Sequence, residues 1–150
     1  MTPVRRIRTD AVPELDSATW SNALRVGHEL VMSGMTAHPA TRQAAERGEP
    51  LDAHAQTLEV LGKVKALLEA AGGHIGNLYK LNVYLTRIED KDAVGRARRD
   101  FFAGQGSFPA STLVAVSGLV FPELVVEVDA WARLDIDLNR CDDAWNGGDA

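Results

Sequence analysis

The chain has 150 residues, 45% of them hydrophobic and 25% charged, a balance that fits one globular domain with a buried core and excludes a disordered or fibrous chain. Its net charge of −5 argues against a broad electrostatic footprint for nucleic acid, and its single cysteine, Cys141, excludes an intrachain disulfide framework or a multi-cysteine metal site. No run approaches the roughly 20 apolar residues of a membrane span, and the basic N-terminus MTPVRRIRTD has no apolar run behind it, so a cytoplasmic protein with no membrane partner is expected.

Val4–Arg8 reads as a short edge strand and Thr9–Ser17 as a loop around Pro13. Trp20–Val26 and Glu29–Met35 are apolar runs flanking Gly27-His28, the pattern of a β-hairpin. His38–Pro50 is polar and reads as an exposed loop. Asp52–Ala71 is the clearest helix. Asp52 can cap it, and Leu58, Leu61, Val64, Leu67, Leu68 and Ala71 form one apolar stripe. Glu59, Lys63 and Lys65 lie off that stripe, and Gly72-Gly73 ends the helix.

Leu78–Thr86 alternates as a half-buried strand, with Tyr79, Leu81, Val83 and Leu85 on one side. Asp90–Ala103 is a second helix with Ala93, Val94, Ala97, Phe101 and Phe102 on its apolar face. Arg96, Arg98 and Arg99 lie mostly on its wet face. Ser111–Ser117 is β-branched and apolar, as expected of a buried strand. After Gly118 and Pro122, Val125–Leu134 alternates: Val126, Val128, Ala130 and Ala132 point one way, Glu127, Asp129, Trp131 and Arg133 the other. Residues 1–136 are expected to form a single domain. Residues 137–150 lose periodicity and are expected to be a flexible tail, fraying at Asn146-Gly147-Gly148-Asp149.

The order hairpin, helix, strand, helix, strand, strand predicts an α+β sandwich: one mixed sheet carrying two helices on one face, with at least one parallel pair made by a crossover. Leu81, Val83, Val126 and Val128 are more apolar surface than helices on one face are expected to cover, so burial against other subunits is expected.

Several chemistries lack their residues. Gly72-Gly73-His74-Ile75-Gly76 follows a helix instead of opening one, so it is a turn and not a phosphate loop, and no Gly-x-Ser-x-Gly elbow occurs. His28, His38, His54 and His74 lie in separate segments with no i, i+4 partner, so no metal site is expected. Cys141 is a poor nucleophile candidate. The Arg96, Arg98, Arg99 cluster is either an anion site or a solvated helix face. Glu127 and Asp129 share one strand face, as part of a solvated sheet surface or as groups held in a cleft.

Leu30–Met35 (LVMSGM), Gln56–Leu68 with its glycine stop, Tyr79–Leu85, Asp100–Phe102 (DFF), Phe108–Ser111 (FPAS) and Val126–Ala132 (VEVDAWA) together resemble the reactive intermediate deaminase family, Rid or YjgF, over about residues 19–135. The resemblance implies a chorismate-mutase-like α+β fold and a homotrimer with ligand clefts at the subunit interfaces. It implies hydrolysis of small enamines and imines to ketones and ammonia without metal or cofactor. In the family an arginine after the proline-alanine pair binds the substrate carboxylate and a glutamate in the last strand helps position water. The glutamate matches Glu127; Ser111 stands where the arginine would be, so the chain resembles a branch lacking it. The family tyrosine near the first strand aligns with Trp20, and the asparagine of the second helix falls near Gly95.

The candidate catalytic residues are therefore Glu127, as acid/base or water-positioning group, and Ser111. Thr112, Trp20, Ser33 and Phe101 are the substrate-binding candidates, although Trp20 also reads as interface core, Phe101 as protein core, and Ser111 and Thr112 as ordinary strand residues. The expected function is an enamine/imine hydrolase acting on a small-molecule intermediate, such as an aminomuconate-like compound. The alternatives are a non-catalytic metabolite-binding trimer and a ribonuclease, the last disfavoured by the acidic charge.

Overall fold

The computed structural model describes residues 1–144. Its elements in order are β1 (Val4–Ile7), β2 (Ala23–Val26), β3 (Glu29–Met35), α1 (Ala40–Glu46), α2 (Ala53–Ala70), β4 (Leu78–Leu85), α3 (Lys91–Phe101), β5 (Ala110–Ala115) and β6 (Val126–Arg133). The strands form one six-stranded sheet in the order β1-β2-β3-β6-β4-β5. Among the described residues only β4 and β5 pair in parallel, across the α3 crossover. The β2–β3 turn needs one positive φ, which Gly27 supplies at +61°.

Helix α2 begins where Asp52 Oδ1 accepts from Ala55 N at 2.8 Å, and ends at Gly72, whose φ of +85° only glycine adopts cheaply. Its buried face runs through Gln56, Thr57, Val60, Leu61, Val64, Leu67 and Leu68. Leu58, expected on this stripe, is 38% exposed, and Val60 takes its place. The buried residues follow i, i+3, i+4, i+7 from Ala53, and Leu58 falls one position off that row. Helix α3 buries Val94 and Ala97 and packs against α2. Arg98 and Arg99 occupy its last turn, where cations complement the helix dipole.

Val60, Val64, Leu67, Leu68, Val94 and Phe102 cover one sheet face, built from Leu30, Leu78, Leu81, Val83, Leu85, Val126, Val128, Ala130 and Ala132. The expectation that Leu81, Val83, Val126 and Val128 need a second subunit is corrected: all four lie in this core at 0–1% exposure. The unpartnered face is the other one. It carries Lys80, Asn82, Tyr84, Glu127, Asp129, Trp131 and Arg133, with the partly exposed apolar residues Leu24, Val31 and Val114 among them.

Three further expectations change. His38–Pro50 holds helix α1, an alanine-rich segment stopped by Gly48 at φ +74°. Leu78 joins the buried side of β4 and Tyr79 the other, because the β4–β6 register shifts between Leu78 and Lys80. Strand β5 is not buried: it is the sheet edge, and five of its six residues are exposed. After β6, Asp137 caps a short 3-10 turn at Leu138–Arg140, and Asn77 Nδ2 donates to Ile136 O at 2.6 Å. The Asn146–Asp149 stretch expected to fray lies outside the described residues. Among the described residues no helix is long and apolar enough to cross a membrane, and no group of acidic, histidine and cysteine side chains is arranged to hold a metal.

Candidate functional site

Glu127 stands on the open sheet face, paired across β4 with Tyr84. Directly beside it, the β3–β6 register shifts between Met32 and Met35, and Gly34 falls within that irregularity. A Cβ at Gly34 would overlap the Glu127 carboxylate and stand 3.2 Å from Asp129 Oδ1. The absent side chain at Gly34 therefore makes the seat for Glu127. Burial pushes the Glu127 carboxyl above its ordinary value, and the Asp129 charge on the same face adds to the rise. Tyr84 Oη donates to Asp129 Oδ2 at 2.7 Å and fixes that neighbour.

A cleft of about 380 Å3 opens from Glu127. Its walls come from three stretches of the chain and from α2: Val12, Pro13, Leu15, Trp20 and Asn22; Gly34, Met35, Thr36 and His38; Val120 and Phe121; and Lys63 of α2. A second hollow of about 300 Å3, lined by Tyr84, Val116, Gly118, Leu119 and Asp129, meets the cleft at Glu127. The walls are tied down from behind. Glu14 accepts from Asn22 N at 2.7 Å and pairs with Arg6 and Arg8, while Asn22 Nδ2 donates to Val12 O at 3.0 Å. Ser33 Oγ donates to Ser21 O at 2.6 Å, next to Trp20. Lys63 Nζ donates to Thr36 O at 2.8 Å and to His38 O at 2.6 Å, and burial lowers its pKa. The His38 ring packs on Phe121 with centroids 4.5 Å apart, and the Arg42 guanidinium lies 4.5 Å from the same ring.

A larger hollow of about 550 Å3 lies along Arg8–Glu14. Of its two carboxylates, Asp10 and Glu14, Glu14 already carries the bond from Asn22 and the two arginines, which hold it below the ordinary range. The Glu127 cleft is the better chemical site: Asp10 is exposed, whereas Glu127 is half-buried and has no ion-pair partner among the described residues.

Of the residues singled out from sequence, Glu127 and Trp20 line one cleft, and Ser33 secures its wall. Ser111 sits on β5 opposite Leu81, on the helix side, where Arg98 Nη1 donates to its Oγ at 2.7 Å. Thr112 lies on the open face and accepts from Lys80 Nζ at 3.0 Å. Phe101 packs on the core, edge-on to Phe102 with centroids 4.9 Å apart. Sequence reasoning missed Gly34, His38, Lys63 and Phe121. Only Gly34 carried a local signal, since a glycine inside a strand pattern marks a bulge or a close approach.

The family profile described as Endoribonuclease L-PSP matches residues 13–134, most of the chain. The chain belongs to this family, known also as Rid or YjgF. Its YjgF-type α+β fold is shared with solved relatives. A crystal structure of a protein of unknown function from Pseudomonas aeruginosa is 82% identical, with a TM-score of 0.93, and the match covers 95% of this chain and 100% of that one. Escherichia coli TdcF, crystallised with bound serine, is 26% identical with a TM-score of 0.73, covering 86% of this chain and 98% of TdcF. A 2-iminobutanoate/2-iminopropanoate deaminase of Dermatophagoides farinae is 29% identical over 79% of this chain and 88% of its own length. Within the Rid/YjgF fold, the Glu127 strand and the β5 edge are both part of the matched region.

Proposed function

We propose that this chain is a cytoplasmic homotrimeric enamine/imine hydrolase that releases ammonia from a small reactive intermediate. The observation that carries the reading is the Glu127 carboxyl, raised in pKa and, among the described residues, free of ion-pair partners in a largely apolar cleft. A deaminase name among the relatives and a bound amino acid in TdcF point to the same size and class of ligand.

The chemistry needs two proton movements. An enamine becomes an imine when a proton is delivered to its carbon. Water then adds to the C=N bond, its proton passes to nitrogen, and collapse of the adduct gives a ketone and ammonia. A carboxyl whose pKa burial raises holds its proton more readily: protonated, it can deliver the first proton, and as carboxylate it can take the proton from water. Trp20, Phe121 and Val120 give the cleft apolar lining beside that carboxyl. Apolar Leu24, Val31 and Val114 on the open sheet face support assembly of three copies. The net charge of −5 speaks against RNA as the substrate, despite the endoribonuclease in the family's name.

The test is ammonia release from enamines and imines generated in situ, including 2-aminoacrylate, larger 2-imino acids and aminomuconate-type compounds. Acceleration over the uncatalysed rate that disappears in Glu127→Ala is the expected result. No acceleration with any compound, together with ligand affinity altered in Glu127→Gln, would replace the hydrolase by a metabolite-binding trimer.

A further inference from the structure

Arg98 stands on the last turn of α3, next to buried Ala97 and one turn after buried Val94. Its guanidinium reaches β5, where Nη1 donates to Ser111 Oγ at 2.7 Å. The residue is half-buried, and burial lowers its pKa with no carboxylate to offset the cost. Among the described residues Arg98 has no ion-pair partner. The acids on the same helix are engaged elsewhere: Asp92 with Lys91 at 2.8 Å, and Asp100 with His54 at 3.1 Å.

A guanidinium has five donors in a rigid fork, and one serine hydroxyl takes a single bond and brings no charge. A half-buried cation left so incomplete is a site for an anion, and a planar carboxylate matches its fork. There is room for one. Gly95 lies one turn before Arg98, and the nearest atom to a Cβ built there is Arg99 Nη1 at 3.8 Å. Ser111 is exposed, and among the described residues β5 has no strand on its outer side.

We propose that Arg98, steadied by Ser111 Oγ, is the substrate-carboxylate-binding residue of this protein. The assignment rests on the imine-hydrolase reading, whose 2-imino acid substrates carry that carboxylate. Ser111 holds the fork in place, and the ligand's two oxygens take the remaining N–H groups.

The test is calorimetric titration of the full chain with 2-oxobutanoate, the keto acid left when a 2-iminobutanoate loses ammonia, with 2-butanone as the uncharged control. Arg98→Met should weaken 2-oxobutanoate at least tenfold, leave 2-butanone unchanged and keep the melting temperature. Arg98→Met/Ser111→Arg, which returns a guanidinium to the same place from β5, should recover most of the affinity. If Arg98→Met does not fold, Arg98→Lys decides: affinity lost with the fork supports the assignment, and unchanged affinity overturns it. A wild-type chain that binds no 2-oxobutanoate also overturns it. Arg98-dependent binding without ammonia release refutes the hydrolase alone; turnover of 2-imino acids that ignores Arg98 refutes Arg98 alone.

Discussion

Ser111 and Glu127 leave opposite faces of one sheet. Ser111 pairs with Leu81 on the helix side of β4, whereas Glu127 pairs with Tyr84 on the open side. A cleft that uses both must therefore draw them from two copies of the chain. Arg98→Met and Glu127→Ala should each be inactive alone. Unfolding and refolding the two together should restore roughly a quarter of wild-type turnover, the share of interfaces that pair two intact halves in randomly mixed trimers. Sedimentation should give three times the 16.2 kDa chain mass. Inactive mixtures of correct mass would show that each subunit holds a complete site.

Gly34 is needed for the space it leaves. A methyl group there overlaps the Glu127 carboxylate, so Gly34→Ala should push Glu127 off its seat. Turnover should fall by about 10- to 100-fold, the scale of a misplaced catalytic group, while the fold survives. Steady-state ammonia release and a thermal melt measure the two effects separately.

The raised pKa of Glu127 has a consequence for stability. Unfolded, the carboxyl titrates near its ordinary 4.5; folded, it titrates higher. Between those values the folded chain binds more protons, so this contribution is fully present below about pH 4.5 and is lost as pH rises through the folded value. Glu127→Gln removes the dependence. The melting temperature of the variant relative to wild type should climb from pH 4 toward pH 8, and a flat difference would contradict the assignment.

Gln56 fixes the approach to the Glu127 strand. Its Nε2 donates to Leu51 O at 2.9 Å and Glu123 O at 3.0 Å, and its Oε1 accepts from Val125 N at 3.0 Å. Gln56→Leu leaves three backbone groups without partners, at a cost on the order of 3 kcal/mol. Thermal unfolding should shift down by roughly 6–12 °C for a chain of this size.

Lys63 closes the cleft from the helix side through Thr36 O and His38 O. Lys63→Met should destabilise by roughly 1–2 kcal/mol and raise KM more than it lowers kcat, because the loosened segment carries His38 into the cleft wall. An unchanged KM with reduced stability would confine Lys63 to a structural part.

Local chemistry was legible wherever it acted over a few residues. The Gly27-His28 turn, the Asp52 cap, the glycine stop of α2 and the alternation of β6 each follow from backbone and side-chain geometry within one element. The Leu58 error and the Leu78–Lys80 shift show the limit: a stripe or a register moves by one position when its neighbour dictates the contact. Helix α1 was missed because alanine and polar residues carry no strong period.

The sequence by itself determined the α+β class, the order of the strands and the two longer helices, the family and the face of β6 that bears Glu127, since these depend on periodicity and on motifs continuous in the chain. Only the tertiary structure decided that Gly34 seats Glu127, that Lys63 and His38 share its cleft, that Arg98 reaches Ser111, and that Ser111 and Glu127 are divided by the sheet. Those relationships join residues from different elements of the chain. They are set by which strands lie side by side and in what register, information that no single stretch of the chain contains.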